Sequence, residues 1–495
     1  MTGPDAPTTT GQPALLKRNA IRLPEIIMQA LAAFAPAFSI VLLFQLTVAE
    51  SGVTAPLVFF FAGLIVLMLG ASISQLYKAF PSAGGFYTHI SRTVHPRAGF
   101  MAGWLMSIWL PPAGVLVVAY TAQSVLQPQI NAQYGVNIPW WVYVLAIGAF
   151  VGFLIYRGIV ISKETVVALG VAEIVICVVL GIFALFSPGR GGVNLIPFNP
   201  AHAPSLQGLY LGVVFSIFVY TGWETQASMA EEAKNPRRNV LLGTVGAIAI
   251  WAAFLVFCTW AYLVGVGTSN IGVIVKSGTL PPLDLAHHLW GGAWVILLLA
   301  ILNSAIAVSI VCSNASTRIW YGMARSGVLP AALSKLHRTH KTPVNAIYLE
   351  LVISLVTLAI AAIFGPSDTF TVYSLMSTFG LIVIYCMLNL GVVRHYLLGP
   401  GRSEFNWLLH LVFPVLSSAA VLWVGYKSVV PLPPAPAKYA PLVTAGCVAV
   451  GVAALIWMRA RGKETWLAKA GEGMDESSDL PLEPRPATAT AGELV

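Results

Sequence analysis

The chain has 495 residues, of which 57% are hydrophobic and only 9% are charged. Soluble domains carry about 25% charged residues, so this composition excludes a soluble globular protein and predicts a polytopic membrane protein. The net charge of +8 would suit nucleic acid only if the basic residues clustered on one soluble surface. They lie instead between apolar segments, so we expect the lipid bilayer, and no nucleic acid, as a partner.

Apolar segments of about 20 residues, the length that crosses a bilayer core, follow one another along the chain. They predict twelve membrane-spanning helices at 25–48, 54–77, 98–126, 140–156, 165–186, 209–230, 240–266, 291–316, 346–364, 369–393, 408–425 and 439–458. Residues 1–23 show no cleavable signal, and we expect a disordered tail there. The acidic segment 464–495 is predicted to be a second disordered tail.

The basic residues also predict the orientation of the chain. With the N-terminus inside, 23 of the 27 lysines and arginines fall in cytoplasmic segments. The four outside are Arg190, Lys276, Lys427 and Lys438. Under the positive-inside rule, both termini of this multi-pass protein are expected on the cytoplasmic side of the plasma (inner) membrane.

Span one carries Pro36 near its middle. Proline removes an amide donor and clashes with the preceding turn, so the carbonyl groups one turn earlier lose their helical partners. Within lipid, those groups must find protein, water or a ligand. The sequence therefore predicts a break in span one.

Span six has its own weak point at Thr221-Gly222, and Glu224 follows two residues later. An acid inside an apolar span costs at least about 2.5 kcal/mol and indicates a functional site. Spans one and six correspond if residues 24–186 and 209–393 are two five-span repeats, followed by two further spans at 408–458. Interrupted spans at corresponding positions of two repeats indicate a transporter site at the bilayer midplane.

Three motifs resemble one known family. Gly222-Trp223-Glu224 followed by EEAKNPRR at 231–238 is similar to the sixth-span signature of amino acid/polyamine/organocation (APC) permeases. The stretches 80–87 and 99–104 are similar to that family's loop between spans two and three. Residues 317–330 resemble its segment after span eight, with Ser326 where the family has Asp.

The resemblance implies a leucine-transporter-like fold with two inverted five-span repeats and alternating access between them. It implies a substrate site at the two breaks, where backbone groups hold the carboxylate and ammonium of an amino acid. Phe218 falls at the position of a gating aromatic residue in some relatives. The implied substrate-binding residues are Ala33, Phe34, Ala35, Pro36, Ala37, Ser39, Tyr220, Thr221, Gly222 and Glu224.

The substrate stays open at this point. Many relatives carry a Gly-Ser-Gly type stretch in span one, whereas this chain has Ala35-Pro36-Ala37-Phe38-Ser39. A proton-coupled or exchanging amino acid transporter is the leading hypothesis. A permease for a polyamine or another organic cation is the alternative. A receptor derived from a permease is a second alternative. The sequence predicts no oligomeric state.

Two intramembrane acids, Glu224 and Glu173, are the candidate coupling residues, because a desolvated carboxylate can take up a proton near neutral pH. No lysine or arginine lies deep within a span, so neither acid has an obvious intramembrane partner. Each has a structural alternative, as a hydrogen-bond partner for its surroundings. Some proton-coupled relatives carry a lysine near position 173, and the reversed charge argues against that mechanism here. Either a proton or a sodium gradient remains open as the energy source.

Other polar positions are weaker candidates. Trp109, Asn303 and Ser377 are possible pathway residues, and interhelical hydrogen bonding is the expected role of the serines and threonine at 304, 374, 377 and 378. No motif for a catalytic site, a metal or a cofactor is found. A major-facilitator carrier is disfavoured because the loop after span six is short.

Overall fold

The computed structural model describes residues 22–80, 85–158, 163–224, 234–269, 280–325, 327–337, 340 and 342–468. Nearly all of the two predicted tails lies outside these residues. The described chain is helical and contains no strand, only an isolated bridge between Leu336 and Pro343.

The helices follow one another as a series of long, apolar elements. The α-helices are α1 Leu23–Ala33, α2 Pro36–Phe38, α3 Phe44–Ser51, α4 Ala55–Ala79, α5 Gly85–Thr93, α6 Pro96–Thr121, α7 Gln127–Tyr134, α8 Trp140–Arg157, α9 Lys163–Phe186, α10 Leu206–Val219, α11 Pro236–Val266, α12 Pro281–Trp290, α13 Val295–Arg325, α14 Val344–Phe364, α15 Pro366–Val393, α16 Phe413–Val429 and α17 Tyr439–Ala460. The π-helical segments are Ser39–Leu43, Ala122–Leu126, Arg394–Leu398 and Leu408–Val412. The 3₁₀ turns are Gly52–Thr54, Ile196–Phe198, Pro200–His202, Gly291–Trp294, Ala331–Ser334, Pro400–Glu404 and Thr465–Ala468.

Within the described residues, ten helical runs are long and apolar enough to cross a membrane. Two of them, Pro36–Ala79 and Pro281–Ala324, are 44 residues long, and the first contains residues 36–48 of predicted span one and all of predicted span two. The 14-residue helix α10 is apolar but shorter than a crossing requires. The predicted all-α membrane fold is confirmed, and the count of twelve spans stays a prediction.

The long helices pack in two groups. The first joins α4 and α11 along their lengths and includes α1 and α10. The second joins α6 and α13 and includes α8 and α14. Helices α9 and α15 contact members of both groups, and they carry side chains that face the two helix breaks described below.

Close contact between α4, α11 and the end of α10 depends on a small residue. An ideal Cβ at Gly63 would lie 2.6 Å from the Tyr220 hydroxyl and 3.0 Å from the Ala252 methyl group. The Tyr220 hydroxyl donates to the Phe59 carbonyl at 3.0 Å. In a bilayer, such small-residue packing and interhelical hydrogen bonds replace the hydrophobic effect as the source of helix association. Tyr220 thereby anchors the end of α10 to α4.

The segment after α17 folds back onto the start of α6. Trp466 is buried against Phe100, Met323 and Met458. The Arg97 guanidinium donates two hydrogen bonds to the Glu464 carboxylate, at 3.0 and 2.9 Å. This bidentate pair and the buried indole fix the segment after the last predicted span against the first turns of α6 and the end of α13.

The Arg97–Glu464 pair predicts a stability effect that depends on pH. Hydrogen bonding to Arg97 lowers the pKa of Glu464 from its ordinary value of 4.5. A lowered folded-state pKa stabilises the fold above the ordinary value, and that stabilisation is lost as the pH falls through the lowered value. We expect Glu464→Gln to lower the thermal unfolding midpoint in detergent at neutral pH and to have no effect well below pH 4.5.

Arg97→Gln provides the matched background for this measurement. In the Arg97→Gln background, Glu464 has no guanidinium partner to lose. The pH-dependent difference in thermal unfolding midpoint between Arg97→Gln and the double variant that also carries Glu464→Gln is therefore expected to vanish. A difference that survives at the acidic end, or that persists without Arg97, would contradict the assignment of the effect to this pair.

Candidate functional site

The first break lies between α1 and α2. Helix α1 ends at Ala33, and Ala35 has the left-handed angles φ 51° and ψ 70°. Pro36 disfavours the right-handed helical region for the residue before it and has no amide hydrogen to give, so the helix restarts there. A left-handed alanine costs about 1–2 kcal/mol. The Ser39 hydroxyl donates to the Phe34 carbonyl at 2.8 Å and replaces a lost helical hydrogen bond.

The second break follows α10. The helix ends at Val219, Tyr220 and Thr221 form a turn, and Gly222 has φ 123°, which favours glycine. The Thr221 hydroxyl donates to the Phe218 carbonyl at 2.8 Å. Residues 225–233 lie outside the described chain, so the rest of predicted span six and the first three residues of the EEAKNPRR motif at 231–238 carry no structural account.

The two breaks approach each other closely. An ideal Cβ at Gly222 would lie 3.1 Å from the Ala33 carbonyl oxygen and 3.3 Å from the Phe34 ring. The fully buried Trp251 of α11 joins them: its ring stacks on Phe34 with centroids 4.9 Å apart, and its Nε1 donates to the Val219 carbonyl at 3.1 Å. Sequence reasoning missed Trp251, because nothing local distinguishes it from a lipid-facing tryptophan.

Trp251 therefore predicts a measurable effect on both breaks. Trp251→Phe keeps an aromatic ring for stacking on Phe34, removes the donor to the Val219 carbonyl and leaves a cavity where the rest of the buried indole lay. Leaving a buried carbonyl without its donor costs about 1–3 kcal/mol. We expect a lower thermal unfolding midpoint and weaker substrate binding. Trp423→Phe, which changes an indole that is 53% exposed on α16, is the control; equal effects of the two substitutions would contradict this role.

The side chain of Glu173, a residue of α9, reaches the start of α2, just after the first break. Its carboxylate accepts hydrogen bonds from the Ala37 amide at 3.2 Å, from Asn303 Nδ2 at 2.5 Å and from the Ser304 hydroxyl. The side chain is buried. The sequence offered no cationic partner for this acid, and its partners here are neutral groups on α2 and α13.

Glu224 accepts a hydrogen bond from the Gly222 amide at 2.6 Å and another from the Tyr385 hydroxyl of α15. Tyr385 also stacks on Trp223 with ring centroids 5.7 Å apart, and Phe86 of α5 packs against both rings. Each helix break is thus capped by one carboxylate, Glu173 at the first and Glu224 at the second. Tyr385 is a site residue that sequence reasoning missed.

Phe218 lies in a cluster of aromatic rings beside the breaks. Its ring contacts Phe370 and Tyr373 edge to face, with centroids 6.1 and 6.0 Å away. Phe38 of α2 packs on Phe370 at 5.9 Å, and Tyr120 of α6 stacks on it at 4.9 Å. The cluster joins α2, α6, α10 and α15, so opening it requires these helices to separate. The gating role that the resemblance implies for Phe218 stays a prediction.

The weaker polar candidates from the sequence differ in whether their hydrogen bonds cross between helices. Asn303 reaches Glu173, as does Ser304, so both form interhelical hydrogen bonds. Trp109 gives its backbone carbonyl to the Tyr373 hydroxyl at 3.0 Å. Ser377 bonds the Tyr373 carbonyl of its own helix, and Ser374 and Thr378 do the same with their preceding turns. In the described chain the hydroxyls of these three residues donate within their own helix, since a helical hydroxyl readily reaches the carbonyl one turn back. Their interhelical role stays a prediction.

The structure adds a third intramembrane acid that sequence reasoning left out. Glu350 of α14 is 5% exposed. It accepts hydrogen bonds from the Ser313 and Ser316 hydroxyls of α13, at 3.0 and 2.7 Å. Its position inside the apolar stretch of predicted span nine was enough to identify it as an intramembrane acid from the sequence. None of its described contacts is to either break, which distinguishes it from Glu173 and Glu224.

The fold and the paired breaks define the class as a multi-pass membrane protein built around an interrupted-helix site. Residues 25–422 match the model of the family described as amino acid permease, and the chain belongs to that family within the APC superfamily. The resemblance predicted from its motifs is confirmed. Because the family and its relatives are transporters, this protein is a transporter and not an enzyme.

Curated relatives cover most of the chain at modest identity. The low-affinity putrescine importer PlaP of Escherichia coli (strain K12) is 24% identical over 427 residues, which is 83% of this chain and 89% of the relative. The methylthioribose transporter of Bacillus subtilis (strain 168) is 24% identical over 77% of this chain and 82% of its own length. The branched-chain amino acid permease BcaP of the same organism is 25% identical over 58% of this chain and 63% of its own.

Proposed function

We propose that this protein is a secondary active transporter that moves a small amino compound across the plasma (inner) membrane by alternating access. The contact between the two breaks carries the proposal: the Gly222 backbone lies against the Ala33 carbonyl, and a carboxylate caps each break. Interrupted helices that meet inside a membrane protein expose backbone polar groups to a ligand, which uninterrupted helices do not.

The proposed architecture has twelve spans, with an inverted repeat formed by 24–186 and 209–393 and two more spans at 408–458. Packing supports it. The first group holds predicted spans one, two, six and seven, and the second holds three, four, eight and nine. Each group thus contains pairs of spans that are five apart in sequence, as two five-span repeats require. Movement of one group against the other would expose the breaks alternately.

The proposed orientation places both termini and both tails in the cytoplasm. The distribution of lysine and arginine, 23 against four, supports it. In this orientation the aromatic cluster around Phe218 closes the outer side of the site, because α10 runs inward from the outer loop that precedes Leu206.

For the substrate, we propose an amino acid or an aliphatic amine. The names of the relatives support both, since one is a putrescine importer and another a branched-chain amino acid permease. The proposed substrate-binding segments are 33–39 and 220–224, Phe218 is the gate, and Trp109 and Asn303 line the approach. Glu224 and Glu173 are proposed to couple transport to a proton gradient, by symport or exchange, with no cofactor.

Uptake into proteoliposomes tests this function. With the lumen made alkaline, radiolabelled substrate is expected to accumulate above its external concentration, and a protonophore is expected to abolish the accumulation. Accumulation that requires sodium and ignores the pH gradient would contradict proton coupling. The absence of gradient-driven accumulation or counterflow across a panel of amino acids and amines would contradict the transporter mechanism as a whole.

A further inference from the structure

We infer that the turn at the end of α17 binds the headgroup of an anionic phospholipid at the boundary of the membrane. The site is separate from the two helix breaks, and the inference does not depend on the proposed transport function. It follows from the way in which the turn gathers positive charge around one exposed indole, that of Trp457.

The backbone at the end of α17 fixes the shape of this turn. Gly462 has a left-handed φ of 63°, and its amide donates to the Arg459 carbonyl at 3.1 Å. The Lys463 amide donates to the Met458 carbonyl at 2.9 Å. These are the two hydrogen bonds of a Schellman motif, which ends a helix by reversing the chain over its last turn. Lys463 is thereby brought back against the helix that it follows.

Trp457 receives two cations from this turn. The Arg461 guanidinium carbon lies 5.9 Å from the centroid of its ring, and the Lys463 Nζ lies 5.1 Å from it. The Trp457 side chain is 52% exposed and the neighbouring Ile456 is 64% exposed, so both present apolar surface to acyl chains. An interfacial tryptophan attracts cations and sits at the depth of the lipid headgroups, so it holds the two charged groups at that depth.

The positive charge of the turn is not balanced within the described chain. Glu464 is the one acid of the described segment that follows α17, and both its carboxylate oxygens accept from Arg97. Arg459, Arg461 and Lys463 are exposed, and none of them forms an ion pair with another described residue. A phosphate group accepts charge-assisted hydrogen bonds from such side chains and supplies the missing negative charge.

The end of α16 shows an ordinary interfacial anchor for comparison. There a single cation, the Lys427 Nζ, lies 4.9 Å from the Trp423 ring centroid and 5.6 Å from that of Tyr426. Trp457 instead receives two cations from a fixed turn, and Arg459 adds a third positive charge two residues along the chain. Like charges held close together repel one another, so an anion that joins them is bound more tightly than at a lone lysine.

Native mass spectrometry of the purified full chain, titrated with lipid in detergent, tests the inference. The probes are phosphatidylglycerol and phosphatidylcholine with identical acyl chains, which differ in the net charge of the headgroup. We expect the first phosphatidylglycerol to bind at least about tenfold more tightly than phosphatidylcholine, and an excess of inorganic phosphate not to displace it. Equal affinities for the two lipids would overturn the inference, and displacement by phosphate would overturn the choice of a lipid.

Two matched double variants locate the site. Arg461→Gln with Lys463→Gln removes both cations from Trp457 and is expected to weaken phosphatidylglycerol binding by at least about tenfold. Lys427→Gln with Lys438→Gln removes the same charge from aromatic rings elsewhere and is expected to leave the affinity unchanged. Both are expected to unfold at the temperature of the unmodified chain in lipid-free detergent, which separates a lost lipid site from a lost fold. Equal losses of affinity in the two would overturn the inference.

The acidic segment 469–495 is the alternative occupant of the turn. A lipid is favoured because Trp457 and Ile456 present apolar surface beside the cations, which acyl chains cover and a charged segment does not. The variant that separates the two converts the acids at 472, 475, 476, 479 and 483 to their amides. Its affinity for phosphatidylglycerol is expected to be unchanged. A gain of about tenfold would show that the acidic segment occupies the turn and would overturn the lipid assignment.

Discussion

Gly222→Ala is expected to abolish substrate uptake while the protein still inserts into the membrane. Gly222 has φ 123°, a backbone conformation that an L-residue adopts only at a cost of about 1–3 kcal/mol. Its added methyl group would lie 3.1 Å from the Ala33 carbonyl oxygen and 3.3 Å from the Phe34 ring, so the backbone at the first break must shift by a few tenths of an ångström in addition to the strain at residue 222. Because both breaks move apart, we expect uptake to fall by at least about a hundredfold, or about 2.8 kcal/mol.

Initial uptake rates in proteoliposomes, normalised to inserted protein, measure this effect. Gly380→Ala on α15 is the matched control, because its added Cβ has no described neighbour within 4 Å and the residue lies within a regular helix. The control is expected to transport normally. Uptake by Gly222→Ala within a factor of two of the control would show that the contact between the breaks does not matter for transport.

Glu224→Gln has the second large expected effect. The Gly222 amide and the Tyr385 hydroxyl donate to different oxygens of the Glu224 carboxylate. Glutamine keeps one oxygen, which can accept from the Gly222 amide, and its NH2 group can donate to the Tyr385 hydroxyl in the reversed direction. What it removes is the negative charge and the ability to take up a proton. Hydrogen bonds to charged groups are worth about 1.5–3 kcal/mol, so we expect uptake to fall by about 10- to 100-fold. We also expect the remaining uptake to lose its dependence on an imposed pH gradient.

Glu350→Gln serves as the control for this experiment, since it neutralises another acid within a membrane-spanning helix, a buried one whose described hydrogen bonds come from hydroxyl groups of α13. It is expected to retain pH-dependent uptake. The opposite pattern, with pH dependence kept in Glu224→Gln and lost in Glu350→Gln, would move the coupling role from the second break to the contact between α13 and α14.

Local chemistry made the membrane class and the positions of the breaks readable from the sequence. Pro36 acts on its immediate neighbours by steric clash and by lacking an amide hydrogen, so the interruption falls within two residues of it. Gly222 marks the second interruption for an equally local reason, its positive φ. Effects that act over one helical turn leave a signature in a short stretch of sequence.

The partners of the site residues left no such signature. Glu173 meets Asn303 and Ser304 across 130 and 131 positions of sequence, and Glu224 meets Tyr385 across 161. These contacts follow from how the two groups of helices pack, and periodicity within one helix does not determine that. Trp251 shows the same limit, since only its neighbours Phe34 and Val219 distinguish it from other apolar tryptophans.

Substrate protection of a cysteine at the second break tests the central claim, that the two breaks form the substrate site. Thr221→Cys would be introduced after replacement of the native cysteines at 177, 258, 312, 386 and 447. With the transported compound at ten times its Kd, thiol modification of this cysteine is expected to slow about tenfold. Ala201→Cys, in the exposed turn before α10, is expected to react at the same rate with and without the compound. An unchanged rate at Thr221→Cys would contradict the account.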